Sequence, residues 1–179
     1  IKITESDLSR AQVKEMGPQL FTTDEDEFFA TPHVDIVIEA IGGENPALSY
    51  LRRALSGSKH VVTANKEIIA KYGTELMALA DRHGVSLRYE ASVGGGIPLI
   101  APFRRDLIAN KINGIYAIIN GTTNYILTRM SQENTDFASV LGQAQKLGYA
   151  EADPRNDIEG IDAAYKLAIL ASLAFKSQI

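Results

Sequence analysis

The sequence contains no cysteine and no tryptophan among its 179 residues. The absence of cysteine excludes a disulfide framework, a cysteine-ligated zinc site and thiol catalysis, and it fits a reducing compartment. Long apolar runs are also missing, since the longest one, at residues 167–175, is far shorter than the roughly 20 residues that a membrane span needs. The chain opens with Ile1 and shows no signal-peptide pattern, so we expect a cytoplasmic fragment.

An excess of positive charge is absent as well. The chain has 18 Lys and Arg against 22 Asp and Glu, a formal net charge of -4, and no basic run of the kind that binds a phosphate backbone. We therefore expect neither nucleic acid nor a membrane as a partner. With 45% hydrophobic and 22% charged residues, the composition is that of a globular protein with one large core or two unequal parts.

The first half of the chain alternates strand and helix patterns. Residues 34–41 form a β-branched run that Gly42 and Gly43 close, and a leucine-rich helical stretch follows. A second strand at residues 60–63 and a long helix at residues 65–83 repeat this order. Alternation of strands and helices with short connections predicts βαβ units, a parallel sheet and an α/β class.

From residue 85 onward the pattern changes. A strand at residues 85–89 and a triple-glycine turn precede a helix that Pro98 opens and that extends to about Ile108. A further strand and three helices are then expected at residues 112–120, 123–132, 136–147 and 158–176. We place the domain boundary near residue 90. Residues 1–89 are predicted to form an incomplete Rossmann-type nucleotide-binding part, and residues 90–179 an α+β domain.

The last helix contains the strongest candidates for chemistry. Asp162 and Lys166 fall on one helical stripe at i, i+4 spacing. An exposed pair of this kind would stabilise the helix by only a few tenths of a kcal/mol. This helix is apolar on nearly every side, however, and such a helix is expected to be buried. A buried lysine paired with an aspartate is suited to proton transfer, because its surroundings tune its protonation.

Several loops contain further candidate residues. Glu151 lies in an acidic loop that can hold a substrate ammonium group, although a solvated loop in which Asp157 caps a helix is the alternative. Lys66 follows a strand end, where α/β sheets bind ligands, but a solvated lysine is equally compatible. The turn at residues 90–98 offers carbonyls to a hard cation or is simply structural. Residues 120–124 either receive a carboxylate or cap a helix.

Four motifs, taken together and in this order, resemble homoserine dehydrogenases. They are TANKE at residues 63–67, EASVGGGIP at 90–98, NGTTNYIL at 120–127 and GYAEADPRNDIEGIDAAYKLAIL at 148–170. The resemblance runs from about Val34 to the end of the chain, and the last motif is the most specific. It implies reversible hydride transfer between NAD(P) and homoserine or aspartate semialdehyde, in a homodimer or higher homo-oligomer that assembles through the substrate-binding domain.

The resemblance also implies roles for particular residues. Catalysis is expected from Lys166, Lys66 and Asp162. Substrate contacts are expected from Glu151, Tyr149, Asp157 and Thr122. Cofactor contacts are expected from Lys66, Gly42 and Gly43. A monovalent cation, typically sodium, is expected on the main-chain oxygens of Glu90, Val93, Gly95 and Ile97.

A glycine-rich pyrophosphate-binding turn, G-x-G-x-x-G, does not occur in the sequence. Gly94, Gly95 and Gly96 do not replace it, because their spacing is wrong and they lead into a helix that starts with proline. We therefore expect the chain itself to bind NAD(P) poorly and to turn over slowly or not at all. Another amino-acid or semialdehyde dehydrogenase of similar fold, or an inactive dimerisation fragment, remains as an alternative.

Overall fold

A computed structural model describes residues 3–4 and 15–177 of the chain. Its residues group into two units. One comprises the described residues up to Thr63 together with Gly73–Arg88, and the other comprises Ala64–Tyr72 together with the described residues from Tyr89 onward.

Short parallel strands organise the first unit. Strands β1 (Ile3–Thr4) and β2 (Phe21–Thr22) pair with each other. Strands β3 (Ile36–Glu39), β4 (His60–Thr63) and β5 (Leu87–Arg88) form a second parallel sheet in the order β3-β4-β5. Because β3 and β4 are in register from their first to their last residues, Glu39 and Thr63 stand side by side at the carboxyl edge.

Helices connect these strands. Helix α1 (Glu25–Ala30) is N-capped by Asp24, α2 (Ala47–Ser56) connects β3 to β4, and α3 (Lys66–Arg82) connects β4 to β5. One face of α2 is buried, with side chains from Ala47, Leu48, Leu51, Ala54 and Leu55. The parallel sheet with intervening helices confirms the predicted α/β class.

The second unit is helical in its regular elements. After a 3₁₀ turn at Glu90–Ser92 come α4 (Ile100–Arg104), α5 (Gly121–Glu133), α6 (Phe137–Lys146), α7 (Arg155–Ile158) and α8 (Ile161–Phe175). The buried side chains of Ile126, Val140, Ala144 and Ala150 form one core cluster, against which Tyr125, Met130 and Leu141 pack. Helices α5 and α6 therefore hold each other through an apolar interface.

The strand predicted at residues 112–120 does not form. None of these residues lies in a strand, and the side chains of Tyr116 and Ile118 are 100% and 80% exposed. A β-strand is stable only when a neighbour takes its backbone hydrogen bonds, and the residues described in this unit supply no such neighbour. The β-branched sequence is thus compatible with a strand but insufficient to make one.

Two predictions about helices also need correction. The helix that Pro98 was expected to open ends at Arg104 rather than near Ile108. Helix α8 is not buried on every side, because Leu167 is 53% exposed while Ile169 and Leu170 are buried.

Within the described ranges, no helix combines the length and apolar character that crossing a bilayer would require.

Candidate active site

Lys166 and Asp162 form an ion pair one helical turn apart in α8. The Nζ of Lys166 lies 2.7 Å from Oδ2 of Asp162, and it also donates to the main-chain oxygen of Ile119 at 2.9 Å. The Asp162 side chain is 8% exposed and that of Lys166 is 20% exposed. The stripe seen in the sequence therefore produces a fixed, half-buried ammonium group with oxygen partners from Asp162 and Ile119.

Lys66, the first residue of α3, binds the same carboxylate from another part of the chain. Its Nζ lies 3.1 Å from Oδ1 of Asp162. Burial alone would raise the pKa of Asp162, but hydrogen bonds from Lys166, Asn120 and Lys66 outweigh that effect and hold the pKa below its ordinary value. Asp162 is therefore an anion that fixes two lysines at once.

Asn120 lies in the segment at residues 120–124 that was predicted to receive a carboxylate or to cap a helix, but it was given no role of its own at the site. It is buried, and its side-chain nitrogen donates to Asp157 at 2.7 Å and to Asp162 at 3.0 Å. Its side-chain oxygen accepts from the main-chain nitrogen of Thr123 at 2.8 Å, which caps α5. The signal in the sequence is an asparagine at a helix N-cap position, which by itself indicates only capping.

An open cleft of about 620 Å³ lies beside these groups. It is lined by Asn120, Gly121, Thr122, Asn124, Tyr125, Thr128, Arg129, Gln132, Gly148, Tyr149, Asp157, Asp162 and Lys166. One part of the lining is charged, and another part is aromatic, since the rings of Tyr125 and Tyr149 stack with centroids 4.7 Å apart. A small polar molecule with a short carbon chain matches this combination.

Three of the four predicted substrate-binding residues line the cleft. Thr122 donates from its hydroxyl to the main-chain oxygen of Tyr149 at 2.8 Å, which joins the start of α5 to the loop before α7. Asp157 also lines the cleft, and its carboxylate accepts a hydrogen bond from the side-chain nitrogen of Asn120. Glu151 does not line the cleft: its side chain is exposed, and its main-chain oxygen accepts from Gln145 at 3.1 Å.

The predicted cofactor glycines belong to the first unit and follow β3. Gly42 and Gly43 both have positive φ, 80° and 69°, which favours glycine at these two positions. Glu39 holds the start of this loop, because its Oε1 accepts from the main-chain nitrogens of Ile41 at 2.7 Å and Gly42 at 3.3 Å. Its Oε2 accepts from the hydroxyl of Thr63, so one buried carboxylate joins two strand ends and the loop.

The glycine loop at residues 90–98 is held by the side chain of Glu90. That carboxylate accepts from the main-chain nitrogens of Leu99, Ile100 and Ala101 at 2.8–3.0 Å and so caps α4. Gly94 and Gly95 have φ of 87° and 58°, and Ile97 donates to the oxygen of Gly94 at 3.0 Å. The side chain of Glu90 is thus engaged in capping, which leaves main-chain oxygens as the donors this loop can offer.

These donors decide which metal the loop can accept. In the part of the chain that the structure describes, no group of three or more His, Cys, Asp and Glu side chains is arranged to hold a metal ion. Main-chain carbonyls are hard, uncharged oxygen ligands, which suit an alkali cation better than a transition metal. Main-chain oxygens are therefore chemically compatible with sodium, and a sodium site at Glu90, Val93, Gly95 and Ile97 stays a prediction.

Two family models match the chain. The model described as "Homoserine dehydrogenase, NAD binding domain" matches residues 1–90, and the model described as "Homoserine dehydrogenase" matches residues 98–179. Together the two models leave only residues 91–97 between them.

Curated relatives match over almost the whole chain. A homoserine dehydrogenase from Synechocystis sp. is 49% identical over 172 residues, which are 96% of this chain and 40% of the relative. A homoserine dehydrogenase from Bacillus subtilis is 44% identical over 178 residues, which are 99% of this chain and 41% of the relative. The chain thus spans about two fifths of the length of these relatives.

Solved structures of homoserine dehydrogenases also resemble this chain in fold. A homoserine dehydrogenase from Thiobacillus denitrificans superposes with a TM-score of 0.88 at 46% identity, covering 97% of this chain and 40% of that one. A hyperthermophilic archaeal homoserine dehydrogenase in complex with NADPH superposes with a TM-score of 0.76 at 35% identity, covering 80% of this chain and 44% of that one.

Proposed function

The chain belongs to the homoserine dehydrogenase family, and from that premise we propose that it serves the reversible, NAD(P)-dependent interconversion of L-homoserine and L-aspartate 4-semialdehyde in threonine and methionine synthesis. The observation that carries the proposal is the ammonium group of Lys166, fixed by Asp162 and by the oxygen of Ile119 at the wall of a cleft of about 620 Å³. A positioned proton donor in a cleft of this size suits the reduction of a small aldehyde.

The chemistry requires a hydride and a proton. When bound, the nicotinamide of NAD(P)H supplies the hydride to the aldehyde carbon. Lys166 then gives a proton to the oxygen on which negative charge develops, so that the carbonyl becomes the hydroxyl of homoserine. In the opposite direction the hydroxyl proton returns to Lys166. Asp162 holds the lysine in position throughout, because two of its contacts come from Lys166 and Lys66.

The remaining site residues bind and orient the substrate in this proposal. The acidic side chain of Asp157 faces the cleft and suits the amino group, and Tyr149 and Thr122 line the same cavity. Glu151 is proposed to join them only when its exposed side chain turns inward. Lys66 is proposed to contact the cofactor as well as Asp162. In the first unit, Gly42 and Gly43 are proposed as cofactor contacts. Support for the glycines is their place after β3, since ligands of α/β sheets bind beyond the carboxyl ends of strands.

A cation is proposed as a further component of the site. Sodium would be held by the main-chain oxygens of Glu90, Val93, Gly95 and Ile97, and when bound it supplies fixed positive charge. The turn conformation that presents these oxygens depends on the positive φ of Gly95.

The two halves of the chain are proposed to bind different molecules, the cofactor and the substrate. Residues 1–89 would bind the cofactor, which is supported by the match of the NAD-binding model to residues 1–90. Residues 90–179 would bind the substrate and form a homodimer. Support for the dimer is the fully exposed Tyr116 and the 80% exposed Ile118, in a segment that pairs with no strand among the described residues. Sedimentation equilibrium tests the dimer directly.

The test of the activity is homoserine-dependent formation of NADH or NADPH, compared between the unsubstituted protein and Lys166→Met. Each protein is prepared at the full length of the relatives, because this chain alone is expected to turn over slowly or not at all. We expect turnover to fall by about 10²- to 10⁴-fold in the variant, which is the usual contribution of a positioned general acid or base. Lys146→Met is the matched control, because Lys146 is an exposed lysine in the last turn of α6. Equal activity of both variants would disprove the role of Lys166, and no activity in any of the three proteins would disprove the proposed function.

A further inference from the structure

One amide group separates the two carboxylates of the cleft. The side-chain nitrogen of Asn120 donates to Oδ1 of Asp157 at 2.7 Å and to Oδ2 of Asp162 at 3.0 Å. Two carboxylates that share one neighbour repel each other unless donors lie between them. Both protons of the amide are used here, one for each carboxylate, so Asn120 joins α7 to α8 through hydrogen bonds.

The opposite end of the same amide fixes its orientation. Its oxygen accepts from the main-chain nitrogen and from the hydroxyl of Thr123, both at 2.8 Å. Because these groups require an acceptor, the nitrogen of Asn120 is directed to the carboxylates, and the amide cannot be reversed without losing bonds at both ends. The capping interaction at the start of α5 thus determines how Asp162 is held.

The residue before Asn120 takes part in the same arrangement. The main-chain oxygen of Ile119 accepts from Nζ of Lys166, while the side chain of Asn120 donates to the carboxylate that pairs with Lys166. One dipeptide therefore contacts both members of the Lys166–Asp162 pair. Since Asn120 is 7% exposed, water has little access to replace its hydrogen bonds.

We propose that Asn120 is a positioning residue, which acts through the carboxylate of Asp162 to hold the ammonium group of Lys166 where the reaction needs it. The inference rests on the proposed function, since it assigns Asn120 to the same proton transfer. Capping of α5 is a separate role that serine or aspartate would also fulfil. Only an amide caps the helix and donates to both carboxylates.

This difference defines two test variants. Asn120→Ser keeps a good N-cap but removes the donor between Asp157 and Asp162. Asn120→Asp also keeps the cap and places a third carboxylate beside the other two. We expect Asn120→Ser to keep the cap of α5 and Asn120→Asp to be less stable, because its added carboxylate lies beside Asp157 and Asp162. If capping were the only role, Asn120→Ser would leave the behaviour of Lys166 and Asp162 unchanged.

The kinetic readout is the division of the effect between kcat and KM for homoserine. Loss of positioning at the proton donor is expected to lower kcat by about 10- to 100-fold in Asn120→Ser, with a smaller change in KM, because misplacing a reacting group mainly affects the transition state. Asn120→Asp is expected to lose more. The acidic limb of its pH profile should also move to higher pH. Two carboxylates, Asp157 and the new one, would then raise the pKa of Asp162, while only Lys66 and Lys166 lower it.

A second readout does not depend on turnover. Carbon-13 NMR titration of the Asp162 carboxyl should show a higher pKa in Asn120→Ser and a still higher pKa in Asn120→Asp. If the unsubstituted protein does not turn over homoserine, the proposed function fails, and the titration still decides whether Asn120 controls Asp162. An unchanged Asp162 titration in Asn120→Ser, with or without a fall in melting temperature, would overturn the inference and leave Asn120 as a helix cap.

Discussion

Nζ of Lys66, at the first turn of α3, lies 3.1 Å from Oδ1 of Asp162 in α8, on the side of the carboxylate that Lys166 does not occupy. One buried anion is thus shared by two lysines from distant parts of the sequence. Because each oxygen of the carboxylate has its own lysine, the side chain of Asp162 is fixed in rotation as well as in position.

Removal of Lys66 is therefore predicted to affect the chemistry through Asp162. In Lys66→Met we expect the pKa of Asp162 to rise and kcat to fall by about 10- to 100-fold, because Asp162 and Lys166 are less well fixed. Steady-state kinetics with homoserine and carboxyl NMR measure the two effects. Lys71→Met is the control on the same helix, where Lys71 pairs with Glu67 at 2.6 Å. A fall of the same size in the control would refute the specific role of Lys66.

The pKa of Asp162 also predicts how stability depends on pH. Because the folded state holds this pKa below the unfolded value of about 3.9, the ionised carboxylate stabilises the fold above that pH and the contribution is lost as pH falls through the folded pKa. Asp162→Asn should lower the free energy of unfolding by about 1–3 kcal/mol at pH 7. The difference in the free energy of unfolding between the two proteins should become smaller as the pH falls below about 4. Urea titrations at each pH measure it.

A surface aspartate supplies the control for that experiment. The pKa of Asp153 is also lowered, chiefly by its hydrogen bond to Arg155, but both side chains are exposed. Asp153→Asn should leave the free energy of unfolding unchanged within error, because solvent screens exposed ion pairs. A pH-independent difference for Asp162→Asn would contradict the assignment of its stabilising effect to charge.

Glu39 is predicted to be a determinant of the stability of the first unit. Glu39→Leu removes the buried carboxylate that accepts from two loop nitrogens and from the hydroxyl of Thr63, so we expect a loss of about 1–3 kcal/mol. Glu39→Gln should lose less, because its amide still accepts from the loop and donates to Thr63. Glu75→Leu, at an exposed pair with Arg52, should change stability by less than about 1 kcal/mol. Denaturant unfolding ranks the three variants, and equal losses would refute the prediction.

The turn at Gly95 allows a test of the cation site. Gly95 has a φ of 58°, and a Cβ there would meet nothing within 4 Å, so substitutions act through the backbone alone. Gly95→Val should cost about 1–2 kcal/mol and abolish any gain in melting temperature from sodium chloride over choline chloride. Gly95→Asn should keep most of both, since asparagine tolerates this conformation. A sodium effect that survives in Gly95→Val would exclude this loop as the site.

Local pattern was sufficient to predict much of this structure. Strand β4 was predicted with its observed bounds, and α3 within one residue at each end, because both are set by local β-branched or helical patterns with clear ends. The pairing of Asp162 with Lys166 is likewise a property of one helix. These predictions depend on neighbours within one turn or one strand.

Contacts between distant segments could not be predicted in the same way. Nothing near Lys66 in the sequence indicates Asp162, and nothing near Asn120 indicates that its amide lies between two carboxylates. The strand expected at residues 112–120 failed for the same reason, since its formation depends on a partner elsewhere. The resemblance of the motifs assigned roles to five of the cleft residues, namely Thr122, Tyr149, Asp157, Asp162 and Lys166, but none to Asn120.

Helix α3 is continuous from Lys66 to Arg82, yet its residues 66–72 belong to the second unit and its residues 73–82 to the first. A cut near residue 90 would therefore not release an intact module, because the excised carboxyl-terminal part would leave Lys66 behind and Asp162 with one lysine. Any chimera that exchanges one half of this protein for a homologous half must take the first turn of α3 together with α8. The ion pair between Lys66 and Asp162 joins residues on opposite sides of residue 90, so a cut at that residue separates its two members.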